Sequence, residues 1–166
     1  MTAIYNSVNF VWSRRMTNSS SYNLSGRILI VDDNVLGLAA RRSVLEELGH
    51  KVTTCGAPQD ALELCGKHRY DVVVTDYKMP KMNGVEFIGR LKKQNPNVAV
   101  ILISGFTDTL GLNEANTGAD VVMQKSAHEV TLLIRSVNRL LRQQKPGRKP
   151  PHSHASNKSE KRKGGR

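Results

Sequence analysis

Five polar side chains stand where runs of apolar residues stop: Asp32 and Asp33 after "ILIV", Asp76 after "VVVT", Ser104 after "VILI" and Lys125 after "VVMQ". Three acids, a hydroxyl and an ammonium could do chemistry together if one edge of a fold collects them. Two carboxylates about 4 Å apart repel by about 4 kcal/mol at an effective dielectric of 20, so three crowded acids invite a cation. Hard oxygen ligands, with waters completing an octahedron, suit Mg²⁺. Each residue also has a plain structural reading. Asp33 or Asn34 suits the cap of a following helix, Ser104 before Gly105 suits turn chemistry, and Lys125 suits a surface charge.

Whether the five meet depends on the elements that carry them. Between Arg27 and Leu141 the runs "RILIVD" (27–32), "KVTTC" (51–55), "DVVVTD" (71–76), "VAVILIS" (98–104) and "ADVVMQK" (119–125) are separated by four helix-length gaps. That alternation predicts a doubly wound α/β domain. Residues 28–31, 72–74 and 98–103 are apolar without alternation, as strands covered on both faces must be. "KVTTC" is the weakest run and suits an edge. Parallel strands place their C-terminal ends along one rim, where ligands collect at the switch point in strand order.

The helices follow from apolar spacing and from Gly and Pro. The first is expected over Asn34–Leu48, burying Val35, Leu38, Ala39, Leu45 and Leu48 and stopping at Gly49. The second spans Pro58–Lys67 with proline in its first turn. The third runs from Gly84 and ends before Pro96. "TDTLGLNEAN" (107–116) is a poor helix around a destabilising Gly111. The last carries Val130, Leu133, Ile134, Val137, Leu140 and Leu141 on one stripe.

The formal charge of +11 is local. Residues 1–26 hold Arg14, Arg15 and no acid; residues 27–141 hold 14 basic and 13 acidic residues; residues 142–166 hold 9 basic and 1 acidic. The reading is therefore a nearly neutral domain over 27–141, an N-terminal extension over 1–26 and a basic tail over 142–166. Both flanks are polar enough to be expected disordered. Met16 offers an alternative start. Cys55 and Cys65, ten apart, match neither a CxxC nor a zinc spacing and fit reduced packing residues. No run approaches a membrane span, and Arg14 and Arg15 follow the "IYNSVNFVW" stretch instead of preceding it, unlike a secretion signal. A cytoplasmic protein with no membrane association is expected.

"ILIVDDN", "VVVTDYKMPKMNG", "VILISG" and "QKS" occur in an order and spacing that make residues 27–141 resemble a response-regulator receiver domain of two-component signal transduction, of the stand-alone CheY-like kind. The resemblance implies a flavodoxin-like five-stranded sheet in the order 2-1-3-4-5. It implies Asp76 as phosphoacceptor, Asp33 as a direct Mg²⁺ ligand and Asp32 as one acting through water. The main-chain carbonyl of Lys78 would supply another oxygen. Ser104 would bond a phosphoryl oxygen and Lys125 would pair with it. The implied partners are a histidine kinase or phosphotransfer protein and an unknown downstream protein, with a homodimer through the fourth and fifth helices as a further option. No turnover enzyme is implied beyond Mg²⁺-dependent self-phosphorylation and slow self-dephosphorylation.

Two positions depart from the family's usual residues. Ser126 follows Lys125 where a proline in a cis bond is usual, and a cis bond without proline costs about 2.5–4 kcal/mol. The alternatives are retained strain, or a trans bond with a small displacement of Lys125. Val122 replaces an aromatic residue whose rotamer reports phosphorylation, and a β-branched side chain has no ring to swing. Lys78 and Phe106 occupy positions linked to phosphoryl lifetime; with no group at Phe106 to orient water, slow dephosphorylation is expected. Two other functions compete: a phosphorylation-gated, non-specific nucleic-acid binder acting through the basic tail, and a hydrolase with an Asp nucleophile. Lys78, where such a hydrolase would need a second acid, argues against the latter.

Overall fold

A computed structural model describes residues 24–144. The expected disorder of the flanks and the alternative start at Met16 concern residues that lie largely or wholly outside this range. Five strands form one parallel sheet: β1 (Arg27–Val31), β2 (Lys51–Cys55), β3 (Val72–Asp76), β4 (Ala99–Ser104) and β5 (Val121–Gln124), in the order β2-β1-β3-β4-β5. The helices are α1 (Val35–Glu47), α2 (Pro58–Lys67), α3 (Gly84–Gln94), α4 (Thr107–Leu110), α5 (Glu114–Thr117) and α6 (Glu129–Gln144).

The sheet is covered on both faces, which is why its central strands are apolar throughout. Alternate side chains enter opposite layers. Leu29, Val31, Val73, Val100 and Leu102 pack with Ala61, Leu62 and Cys65 of α2 and with Phe87, Ile88 and Leu91 of α3. Ile28, Ile30, Val72, Val74, Ile101 and Ile103 pack with Leu45 of α1 and with Leu133, Val137, Leu140 and Leu141 of α6. As expected, β2 is an edge strand. Cys55 and Cys65 are free buried thiols in the first layer, and burial pushes the Cys65 thiol up to about 11.

The first helix departs from expectation. Val35 is 74% exposed, and Ala39 and Leu48 are also exposed, so the buried face is Leu45 and Arg41 with Leu38 partly covered. The core stripe of α1 is interrupted by a charge and turned away from the expected residues. The weak segment 107–116 splits into two single turns. Gly111 adopts the left-handed conformation (φ 59°) and ends α4, while Asn113 and Asn116 form a reciprocal capping box that starts α5. The last helix buries Leu133, Val137, Leu140 and Leu141, leaves Val130 exposed and continues to Gln144, whose Nε2 donates to the Asp71 carbonyl. Among the described residues, no helix is long and apolar enough to cross a membrane.

Candidate functional site

The site lies where strand order reverses, at the C-terminal ends of β1 and β3. The register Val31↔Thr75 and Asp76↔Ile103 puts Asp32, just past β1, level with Asp76 at the end of β3. Ser104 ends β4 one residue further along, and the Lys125 N–H donates to the Ser104 carbonyl at 2.9 Å, which fixes the start of the loop after β5. Asp32, Asp33, Asp76, Lys78, Ser104 and Lys125 therefore line one cleft. All the expected site residues meet there.

The open choice at the start of α1 resolves in favour of Asn34. Its side-chain oxygen accepts the Gly37 N–H at 3.0 Å as the N-cap, while its own N–H donates to Asp32 Oδ1 at 2.9 Å. Asp33 is left exposed at the cleft. One carboxylate oxygen from each of Asp32, Asp33 and Asp76 falls within 4.8 Å of the others. These are hard oxygen donors with strong mutual repulsion, and they fit a small dication of the Mg²⁺ kind.

Asp76 is buried. Burial pushes its carboxyl above the usual carboxylate range; the Lys125 hydrogen bond and charge pull it back, the Asp32 charge raises it, and the Tyr77 N–H lowers it, with burial prevailing. Lys125 Nζ sits 2.9 Å from Asp76 Oδ1. The Lys125–Ser126 bond is trans, as is every described peptide bond, and the ammonium still reaches the acid. Ser104 is fully buried and its Oγ accepts the Phe106 N–H at 3.0 Å, so its hydroxyl hydrogen is available to a group in the cleft.

The loop after Asp76 is pinned from below. Met79 and Met82 insert into the α2–α3 layer, while Pro80 and Lys81 face outward. Lys81 takes the left-handed conformation (φ 68°), which is strained for a side chain of its kind. Asn83 and Glu86 then form the capping box of α3, and the Gly84 N–H closes the loop onto the Tyr77 carbonyl at 2.8 Å. On β5, Val122 is half-buried against the α2–α3 layer, and its N–H is held by the Glu114 carboxylate at 3.2 Å.

One pair of site neighbours was not anticipated. Arg41 Nη1 donates to Asp32 Oδ2 at 2.6 Å and its Nε donates to Glu129 Oε1 at 2.7 Å. Burial alone would lower the guanidinium, but the hydrogen bonds and charges of Glu129 and Asp32 outweigh it and raise it. A signal was present in the sequence: Arg41 lies three residues after Leu38 and four before Leu45, on the core side of α1.

Residues 28–136 match the family model for the response regulator receiver domain. A gliding motility regulatory protein of Myxococcus xanthus is 30% identical over 118 residues, which cover 69% of this chain and 15% of that protein. The cyclic di-GMP phosphodiesterase response regulator RpfG of Xanthomonas campestris is 37% identical over 90 residues, covering 52% of this chain and 24% of that one. The chain thus spans less than a third of the length of these two curated relatives. Among solved structures, the receiver domain of Francisella response regulator 1452 superposes with a TM-score of 0.67 at 31% identity, covering 73% of this chain and all of that one. Response regulator TrrA of Thermotoga maritima, solved in complex with Mg²⁺ and BeF, gives a TM-score of 0.62 at 28% identity over 69% of this chain and 97% of that one. The parallel sheet in the order 2-1-3-4-5, the acid cluster at its switch point and the match over residues 28–136 agree, and the chain belongs to the response regulator receiver domain family.

Proposed function

We propose that this chain accepts a phosphoryl group on Asp76 from a histidine kinase or phosphotransfer protein and signals through phosphorylation-dependent binding of a downstream protein. The observation that carries this reading is the convergence of Asp32, Asp33 and Asp76 within 4.8 Å, with Lys125 Nζ 2.9 Å from Asp76. An Asp76 carboxylate oxygen would attack the phosphorus. The phosphorus–nitrogen bond of the donor would break, its electron pair returning to the imidazole, and an acyl phosphate would form on Asp76. The protein's part is positioning and charge neutralisation. Asp76 rides on a buried strand end; Lys125 would move from the carboxylate to a phosphoryl oxygen; the Ser104 hydroxyl would donate to another. Asp32 and Asp33, with Asp76 and the main-chain carbonyl of Lys78, would hold Mg²⁺, which when bound offsets charge on the phosphoryl oxygens.

The reading makes the protein a stoichiometric acceptor and not a turnover enzyme. Leu36 and Val35, highly exposed at the start of α1 beside the acid pair, offer the donor protein an apolar contact. The test is Mg²⁺-dependent labelling by a small phosphodonor such as acetyl phosphate. Wild type should take up label and Asp76→Asn should not; an unlabelled wild type would leave a binding module without phosphotransfer.

A further inference from the structure

Each oxygen of the Asp32 carboxylate already accepts a hydrogen bond. Its Oδ1 accepts the Asn34 N–H and its Oδ2 accepts Arg41 Nη1. Arg41 and Asp32 are both buried, and the guanidinium divides its charge between Asp32 and Glu129, the first residue of α6. Gly37 makes room for this pair: a β-carbon there would lie 3.1 Å from Arg41 Nη1 and 3.3 Å from Asp32 Oδ2. A fixed cation on one acid of the cluster competes with any dication that needs that acid. In a low-dielectric site such competition is felt strongly.

We propose that Arg41 is a positioning residue that sets the affinity of the acid pocket for Mg²⁺ and links Mg²⁺ binding to the first turn of α6 through Glu129. This rests on the reading of Asp32, Asp33 and Asp76 as the Mg²⁺ pocket. A dication that draws on Asp32 weakens the hold of Arg41 there and repels the guanidinium, which shifts toward its remaining partner, Glu129. Glu129 in turn draws Arg41 off Asp32 and so favours the metal. The two influences are reciprocal, because a coupling free energy acts equally in both directions. Arg41 thus ties together β1, α1 and α6, and gives occupancy of the cleft a route to α6 that does not run through Val122.

The test is calorimetric titration of the full-length protein with Mg²⁺ alone, in wild type, Arg41→Gln and Glu129→Gln, with hydrogen exchange at the α6 amides as a second readout. Arg41→Gln should bind Mg²⁺ more tightly and Glu129→Gln more weakly, each by roughly fivefold or more, the lower end of ordinary coupling factors. Mg²⁺ should slow exchange of the Leu132 amide, which donates to the His128 carbonyl in the first turn of α6, in wild type but not in Glu129→Gln. Unchanged Mg²⁺ affinity in either variant, or weaker binding in Arg41→Gln, overturns the proposal. If Arg41→Gln does not fold, Glu129→Gln decides by itself, since it leaves the Arg41–Asp32 pair intact. A wild type that gives no Mg²⁺ binding removes the metal pocket and this proposal together, whereas wild-type binding with unshifted variants removes only the role of Arg41.

Discussion

Gly84 packs its bare Cα against the main-chain oxygen of Asp76, so closely that a β-carbon there would overlap that oxygen and crowd Leu102 Cδ1. The obstacle is backbone, which cannot rotate aside. Gly84→Ala should therefore destabilise the domain by about 1–3 kcal/mol, the usual cost of forced overpacking. It should also displace the Asp76 loop and slow phosphorylation. Urea unfolding would measure the first effect; an unchanged midpoint would mean the loop yields freely.

The Asp76 carboxyl is held above its ordinary range chiefly by burial. The folded protein therefore keeps the proton to higher pH than the unfolded chain does. The stability this contributes is complete below about 3.8, the ordinary value, and is lost as pH rises through the folded value. At neutral pH the ionised acid is a liability to the fold. Asp76→Asn should raise Tm by a few degrees at pH 7, and the gain should shrink toward pH 4. A lower Tm at pH 7 would show that the lost Lys125 contact outweighs burial.

His50 gives a dependence of the opposite sense. Its Nδ1 accepts the Gly26 N–H at 3.2 Å, which requires an unprotonated ring nitrogen, and burial lowers its affinity for protons. The folded state binds fewer protons than the unfolded one, so stability should begin to fall as pH drops below about 6.5 and stop falling beneath the folded value. Thermal unfolding of His50→Gln between pH 8 and pH 5 should show a flatter profile than wild type. An identical slope would place the dependence elsewhere.

Leu36 is 80% exposed at the start of α1, beside Asp33 and Asn34. Exposed leucine contributes nothing to the core, so Leu36→Gln should leave Tm unchanged. If this surface receives the donor protein, the substitution should slow transfer from that protein roughly tenfold, as loss of an interface anchor does. Labelling by acetyl phosphate should be unaffected. Equal slowing with both donors would put the defect in the cleft.

Phe106 lines the cleft next to Ser104 and offers no group that can orient an attacking water, while Lys78 is exposed on the opposite lip. Once formed, the acyl phosphate should persist for minutes or longer. Loss of label within seconds, after removal of the donor, would overturn this expectation.

Local sequence determines much of this molecule. Uninterrupted apolar runs need cover on both faces, so a doubly wound sheet follows from "ILIV", "VVV" and "VILI", and the residues that end those runs must share a rim. Asp32, Asp76 and Ser104 are legible for that reason, as is Lys125 at the end of "VVMQ". Gly111 likewise marked the break between α4 and α5, since its conformational freedom opposes a continuous helix. Val35 and Leu48 are exposed against expectation because apolar spacing alone does not say which side of α1 meets the sheet.

What tertiary structure decides is which distant side chains meet. Arg41 and Glu129 are 88 positions apart, and nothing local to either announces the other. They pair because α1 and α6 pack on the same face of the sheet, bringing a buried guanidinium from one helix to the first residue of the other. Local sequence carries spacing and side-chain chemistry; the sharing of one buried charge between Asp32 and Glu129 exists only once packing excludes the water that would otherwise solvate all three groups.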